Sequence, residues 1–187
     1  MSIHGEPRIL TCNADGNKTG EIGKISAHVL PGVLHRAFSA ILVDERERIV
    51  LQRRSAKKML WPSFWSNSCC SHYRETGEQA AQVQQRIMEE LGCRASGLEF
   101  VTQFQYQARY LDLGVEMEVC DIWVGRTNSH EVRENPEEID AIAFMSPGDL
   151  NVALKSKGSS FTPWFTLEWP MVCSRLTTTP LRGGVSQ

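Results

Sequence analysis

The sequence predicts an α+β fold, or a mixed-sheet α/β one, with a mixed β-sheet flanked by helices. Three observations carry this expectation. Strand-like segments predominate, and the helical segments enter the chain singly among them. A length of 187 residues suits one domain, at roughly 100–200 residues each. No segment recurs with a period of about 20–50 residues, so a solenoid is not expected.

Arg8 to Asn13 reads as a strand, with an Asp15-Gly16-Asn17 turn after it. Residues 35–53 read as a hairpin. Ala37–Val43 is its first strand, Asp44–Arg48 its charged turn and Ile49–Gln52 its return. Arg53 to Ser71, with Pro62 and two tryptophans, reads as irregular. Gly77 to Leu91 reads as a helix with an apolar stripe of Ala80, Ala81, Val83, Ile87 and Leu91, stopped by Gly92. Two long strands are expected near 98–110 and 115–125, joined by Leu111-Asp112-Leu113-Gly114, and a shorter one at 139–144. Thr162 as N-cap and Pro163 at the first helical position open the last helix.

Hydrophobic residues make up 41% and charged residues 22% of the chain, and the mean hydropathy is −0.29, as in soluble globular proteins. Apolar runs such as Ala40-Ile41-Leu42-Val43 fall far short of the roughly 20 residues of a membrane span. Residues Met1 to Pro7 lack the apolar centre of a secretory signal. A net charge of −2 leaves no basic footprint for nucleic acid. Six cysteines without a secretory signal point to reduced thiols and a cytoplasmic protein.

Four features can carry chemistry. On a strand, Glu116, Glu118 and Cys120 share one face, opposite Met117 and Val119. Two carboxylates there form either a solvated acidic edge or a site that supplies a cation. Of five histidines, His4 and His130 lie in polar terminal and loop sequence, whereas His28 and His35 flank a short loop, Val29–Leu34, that can bring both rings together. With His72 and the two carboxylates they compose an N/O donor set suited to Zn²⁺, Mn²⁺ or a similar ion. Asn67-Ser68-Cys69-Cys70-Ser71-His72 offers a thiol for nucleophilic or acid/base work, or buried structural cysteines. Finally, Lys24, Arg53, Arg54, Lys57, Lys58 and Arg86 form a cationic set. It reads as a solvated charge run, or beside metal ligands as a phosphate site.

The segment Gln85–Cys93 resembles the closing half of the Nudix signature. Gln85 stands where an Arg is expected and Arg86 where the first Glu is, so diphosphate hydrolysis is the alternative function rather than the leading one. From about Leu10 to Met171 the chain resembles the type I isopentenyl-diphosphate Δ-isomerases, a Nudix-fold family. The resemblance rests on Lys24-Ile25-Ser26-Ala27-His28, Leu34–Ser39, Gln52-Arg53-Arg54, Trp61-Pro62-x-x-Trp65-x-Asn67-Ser68-x-Cys70-x-His72, Glu89–Gly92, Glu116–Cys120 and Thr162-Pro163-Trp164.

The resemblance implies a single Nudix-like domain over 1–187, with a core of about 10–171 and a flexible tail from about 176 to 187. It implies interconversion of isopentenyl and dimethylallyl diphosphate through a carbocation-like state, which calls for an acid and a base on opposite faces of a flat C5 unit. The family roles fall on Cys70 and Glu118 as that pair, Tyr106 hydrogen-bonding near the acid, and Trp164 turning its π face to the cation. His28, His35, His72, Glu116 and Glu118 match a shell for one transition metal, Mn²⁺ or Zn²⁺, or for Mg²⁺. Glu90 matches the residue serving a second Mg²⁺ on the substrate diphosphate. Lys24, Arg54, Lys58 and Arg86 match the diphosphate contacts. The partner implied is this small-molecule substrate, with no nucleic acid or membrane, in a monomer or weak homodimer. Cys69 puts a second thiol beside Cys70, and Ser71 and Tyr73 replace the Gly and Pro often seen around the histidine. A binding module using the His/Glu cluster only structurally would leave Cys70, Trp164 and the basic loop without a joint purpose.

Overall fold

A computed structural model describes residues 6–75 and 77–178. β1 (Arg8–Cys12) and β2 (Lys18–Gly23) form a hairpin through the expected turn, in which the Asn13 side chain accepts the Asp15 and Asn17 N–H groups. A one-turn helix, α1 (Lys24–His28), leads to β3 (His35–Val43). β4 (Ile49–Arg54), β5 (Trp65–Ser66) and β6 (Cys69–His72) precede α2 (Gln79–Leu91). The long hairpin of β7 (Ser96–Tyr110) and β8 (Gly114–Arg126) follows, then β9 (Ile139–Met145), α3 (Pro147–Lys157) and α4 (Pro163–Thr178).

β3 is central. All nine of its residues are buried. It pairs in parallel with β8 along its whole length and antiparallel with β6, and it meets β4 only at Val43 and Ile49. Beyond that turn β4 leaves to pair with β5 and β9. The expected 35–53 hairpin is therefore closed only at its turn. Its strands splay because each finds a longer partner elsewhere. The mixed sheet of the α+β expectation is present.

Alternation along β3 divides the core. Ala37, Ile41 and Val43 face α4, packing with Trp164, Phe165, Trp169 and Val172. Phe38, Ala40 and Leu42 face α2, packing with Val83, Ile87 and Leu91. α2 ends where expected, with Gly92 in the left-handed conformation at φ 63°. Ala81 is exposed rather than part of the stripe, since it lies off the 80–83–87–91 face of the helix.

Arg53 to Ser71 is less irregular than expected, because it holds β5 and the start of β6. Such short strands carry too little alternation to read from sequence. β2, α1 and α3 add to the expected elements. Ser146 caps α3 by accepting the Asp149 N–H at 3.1 Å, with Pro147 beginning the helix. At the start of α4 the Thr162 carbonyl accepts the Thr166 N–H at 3.2 Å, while its hydroxyl bonds Ser66 at 2.8 Å. The backbone of α4 continues through Thr178. The remainder of the expected tail, 179–187, lies outside the described residues. No described helix is long and apolar enough to cross a membrane.

On the inner side of α4, Glu168 is fully buried, and burial pushes its carboxyl up to about 8. In the unfolded chain the same group titrates near its ordinary value of 4.5. Between those values the folded protein holds a proton that the unfolded chain has released, so stability falls as pH rises through that window and levels off above it. Each tenfold change in proton affinity is worth about 1.36 kcal/mol, so the full cost reaches a few kcal/mol. Glu168→Gln, which cannot ionise, should be more stable than the parent in urea denaturation, by a margin that widens from about pH 5 to about pH 8.5. An equal margin at both ends would show that Glu168 is not the titrating group.

Candidate active site

Three histidines and two glutamates meet where β6, β3 and β8 lie side by side. His35 aligns with Glu118 across the parallel β3–β8 pair, and His72 extends β6 opposite Ala37. His28 comes from the end of α1, and the 29–34 loop folds back as expected. Gly32 allows that return: its φ is +90°, and a Cβ there would meet Val115 Cγ1 at 2.5 Å. The three imidazole centroids lie 4.8, 4.9 and 5.0 Å apart. Each of the five residues offers a ligand atom within 4.8 Å of the others.

His28 Nε2 sits 2.8 Å from Glu116 Oε2, and His72 Nε2 lies 3.1 Å from Glu118 Oε1. The outer nitrogens of two rings are tied back to the chain. His28 Nδ1 meets the Lys24 carbonyl at 2.5 Å and His35 Nδ1 the Val33 carbonyl at 2.7 Å. A carbonyl only accepts, so both Nδ1 atoms carry hydrogen and both Nε2 lone pairs point into the cluster. Buried His35 Nε2 has no hydrogen-bond partner, and buried Glu116 Oε2 faces only the lone pair of His28 Nε2. Orphaned donor atoms converging in this way suit a metal ion, and the N₃O₂ set suits a divalent first-row one. β8 has strands on both edges and its two glutamates are buried, so the solvated acidic edge is excluded.

The vicinal thiols diverge. Cys69 is fully buried in the core under α2, whereas Cys70, across from Ser39, faces the cavity. Burial pushes the Cys70 thiol up to about 12, against the pull of Arg54, whose Nη1 lies 3.8 Å from the sulfur. On the other side of β3, Glu118 Oε2 accepts the Tyr106 hydroxyl at 2.7 Å. Burial would raise the Glu118 carboxyl, yet the neighbouring His35 imidazole and the Tyr106 hydroxyl hold it below its ordinary value. Trp164 donates its indole N–H to Asn67 Oδ1 at 3.1 Å and meets Trp61 edge-on at 5.4 Å.

Lys24, Arg54, Lys58 and Arg86 line the same cavity of about 230 Å³. Arg53 and Lys57 do not; Lys57 pairs instead with exposed Glu137. The Arg54 guanidinium is fixed by the Leu60 and Trp61 carbonyls at 2.9 and 3.0 Å, and Cζ sits 5.1 Å over the Trp164 ring. Burial lowers the Lys24 ammonium, and the neighbouring Lys58 and Arg86 charges lower it further. Glu90 does not line the cavity. It is buried behind it, ion-paired to Arg86 at 2.7 Å and hydrogen-bonded by Gln52 at 3.1 Å.

One residue that pairs with the cavity's cations has no signal in the sequence. Glu138 pairs with Lys58 and holds Arg86 at 2.9 Å, and despite burial these cations lower its carboxyl to about 2. It sits in a loop of mixed charge, where no local pattern separates it from Glu137.

A NUDIX domain profile matches residues 33–165. The chain is 36% identical over 162 residues to isopentenyl-diphosphate Delta-isomerase 1 of Photorhabdus laumondii, covering 86% of this chain and 92% of that protein. The chain belongs to the NUDIX-domain family, among its isopentenyl-diphosphate Delta-isomerases. The enzyme of that name from Streptomyces coelicolor is 38% identical over 152 residues, 81% of this chain and 76% of that one. Among solved structures, a Deinococcus radiodurans protein superposes with a TM-score of 0.68 at 17% identity, over 91% of this chain and 99% of its own. A MutT protein from Methanosarcina mazei Go1 gives 0.60 at 13% identity, over 78% and 96%. These two show the fold alone.

Of the residues that the resemblance to this isomerase family singles out, all but His35 and Glu90 line the one cavity, and His35 closes the cluster from beneath it. Metal binding must compete with protons on the imidazoles. Burial lowers the His28 imidazole, but the Glu116 carboxylate, which accepts an Nε2–H once the ring is protonated and favours its charge, outweighs this and holds it above its ordinary 6.5. The affinity of the metal-free protein for Co²⁺ should therefore weaken as pH falls through and below that raised value. Calorimetric titration at a series of pH values measures it, and a flat profile would remove His28 from the ligands.

Proposed function

We propose that this chain interconverts isopentenyl and dimethylallyl diphosphate by adding a proton at one end of the allylic unit and removing one at the other. The observation that carries this reading is the company kept in one cavity: a thiol holding its proton, a carboxylate, an indole and four cations. The Cys70 S–H gives its proton to the terminal alkene carbon, leaving a thiolate and a tertiary cation-like carbon. Loss of a proton from the carbon nearer the diphosphate to Glu118 forms the new double bond, so one proton enters and one leaves. The reverse reaction runs through the same groups.

Tyr106 orients Glu118. Trp164 and Leu60, both nearly inaccessible, keep water from the cation, which would otherwise be quenched to an alcohol. The indole adds a π face worth about 2 kcal/mol or more to a desolvated cation. Lys24, Arg54, Lys58 and Arg86 hold the diphosphate. His28, His35, His72, Glu116 and Glu118 would hold one divalent transition metal, Mn²⁺ or Zn²⁺, or Mg²⁺, and a bound ion would fix and polarise the carboxylates. Glu90 would serve a Mg²⁺ that arrives with the diphosphate once Arg86 turns from it to the phosphates. Free cysteines throughout, Cys69 and Cys70 among them, support a reducing compartment, and we assign the protein to the cytoplasm as a monomer or weak homodimer.

Incubation with isopentenyl diphosphate and Mg²⁺, followed by proton and phosphorus NMR, should show dimethylallyl methyl signals with no phosphate released. Release of phosphate would favour a hydrolase instead. Cys70→Ala should abolish turnover, whereas Cys69→Ala should leave most of it, since that thiol is packed in the core. Equal losses would refute this division of roles. Trp164→Phe keeps bulk but weakens the π face, so kcat should drop by roughly ten- to a hundredfold, at tenfold per about 1.36 kcal/mol. KM should hardly change, because the diphosphate contacts are elsewhere; a rise in KM alone would make Trp164 a wall of the pocket.

A further inference from the structure

We infer that Glu138 is a positioning residue for Lys58, tying its ammonium to the Arg86 guanidinium so that both cations stand together on the cavity wall before a diphosphate arrives. The inference deepens the proposed function, on which Lys58 and Arg86 are diphosphate contacts, while the bridge itself rests on geometry. Arg86 is anchored on α2 by Glu89 at 3.1 Å and Glu90 at 2.7 Å. Lys58 has no such neighbour nearby in the chain, since residues 53–64 contain no acidic side chain. Among the described residues, the carboxylate that pairs with its ammonium is Glu138, through Oε2. Oε1 of the same carboxylate meets Arg86 Nη2 at 2.9 Å, so one oxygen serves each cation. Lys58 and Arg86 line the cavity and Glu138 does not. It acts from behind them rather than on substrate.

Backbone bonds fix Glu138 from two sides. Toward α2, the Arg133 and Asn135 N–H groups donate to the Leu91 and Glu90 carbonyls at 2.7 and 2.8 Å. Toward the segment that carries Lys58, the Glu138 carbonyl accepts the Ser55 N–H at 2.9 Å, and Asp140 Oδ2 accepts the Ala56 N–H at 3.0 Å. None of these bonds uses the Glu138 side chain, so the loop keeps its place when that side chain is changed. What the side chain adds is a fixed spacing. Two cations on one wall repel each other, and an untethered lysine has more rotamer freedom to lose than most side chains. A carboxylate between them offsets the repulsion and orders the lysine before any ligand binds. Despite burial, Lys58 and Arg86 hold its carboxyl at about 2, so the bridge stays ionic across the neutral range. Acting through charge alone, the same carboxylate would oppose an anion in the cavity. Positioning and simple charge therefore predict opposite effects on diphosphate affinity.

The test uses two variants. Glu138→Gln keeps the shape and drops the charge, whereas Glu138→Asp keeps the charge but is one methylene too short to reach both cations. One readout is the calorimetric affinity for inorganic pyrophosphate in the presence of Mg²⁺. The other is kcat and KM for isopentenyl diphosphate. Both variants should bind pyrophosphate roughly three- to tenfold more weakly, the scale of one hydrogen bond, and raise KM by a similar factor with kcat unchanged. In a Lys58→Met background, Glu138→Gln should cost little more, because effects that pass through one contact do not add. Unchanged pyrophosphate affinity, or tighter binding by Glu138→Gln with Glu138→Asp like the parent, would make Glu138 a counter-charge only and overturn the inference. A full further loss in the Lys58→Met background, or a fall in kcat at constant KM, would overturn it too. Weaker pyrophosphate binding in both variants of a parent that does not turn over isopentenyl diphosphate would uphold the bridge and count instead against the proposed reaction.

Discussion

The register of three strands is the constraint on which the site depends. β3 runs parallel to β8 on one side and antiparallel to β6 on the other, with His35 beside Glu118, Ala37 beside Cys120 and His72, and Ser39 beside Cys70. Directly opposed residues point to one side of a sheet, so these pairings gather imidazole, carboxylate and thiol onto one face. A slip of one residue in either pair would turn the metal donors or the thiol to the opposite face. Burial of β3 on both faces makes the slip expensive, because its apolar residues are divided between the two cores and all nine of its residues are buried. The same alternation sends Cys69 into the core and Cys70 into the cavity. The identity of the useful thiol is thus a consequence of strand parity.

Electrostatically, the site is strained in both signs. Two carboxylates are desolvated among imidazoles, with donor atoms unpartnered, while Lys24 is crowded by Lys58 and Arg86 at the mouth. Neither arrangement is what a chain would adopt for stability alone. Glu138 relieves part of the strain by neutralising Lys58 and Arg86. A divalent cation among the histidines and glutamates and an anion among the lysines and arginines would relieve the remainder. The resting protein is organised around charges it does not itself supply.

Most of the site was legible, and the limits have physical causes. The donor residues could be picked out because His and Glu in apolar strand sequence are costly unless paired, and the resemblance to a family sorted them into roles. Their convergence could be anticipated only for His28 and His35, which flank a six-residue loop. The meeting of β6 with β8 across β3 is non-local and leaves no periodic mark. β2, β5 and α1 are too short for a periodic signal, whereas α3 was not anticipated although Ser146-Pro147 carries the same start chemistry as Thr162-Pro163 before α4. Glu138 and Glu168 were invisible for opposite reasons. Glu138, itself half-buried, sits among exposed acids, whereas Glu168 has the sequence surroundings of a solvated helix residue until the packing of α4 turns it inward.

Position 86 shows how the inherited helix serves this chemistry. The Nudix signature that α2 resembles expects a glutamate there, part of a helical carboxylate set for metal. Here Arg86 takes that place and reaches Glu89 at 3.1 Å, Glu90 at 2.7 Å and Glu138 at 2.9 Å. Three carboxylates around one guanidinium leave it firmly charged on the wall of the cavity that Lys24 and Lys58 also line. On the proposed reading, a helix face that in the Nudix signature holds a metal against a diphosphate here presents a cation to it directly. Glu90 is left as the carboxylate nearest that exchange, and an incoming diphosphate competes with it for Arg86. The more tightly the phosphates draw Arg86, the more negative charge Glu90 has to offer to a cation arriving with them. On the roles proposed for Arg86 and Glu90, substrate and Mg²⁺ binding would thereby be coupled through a single side chain.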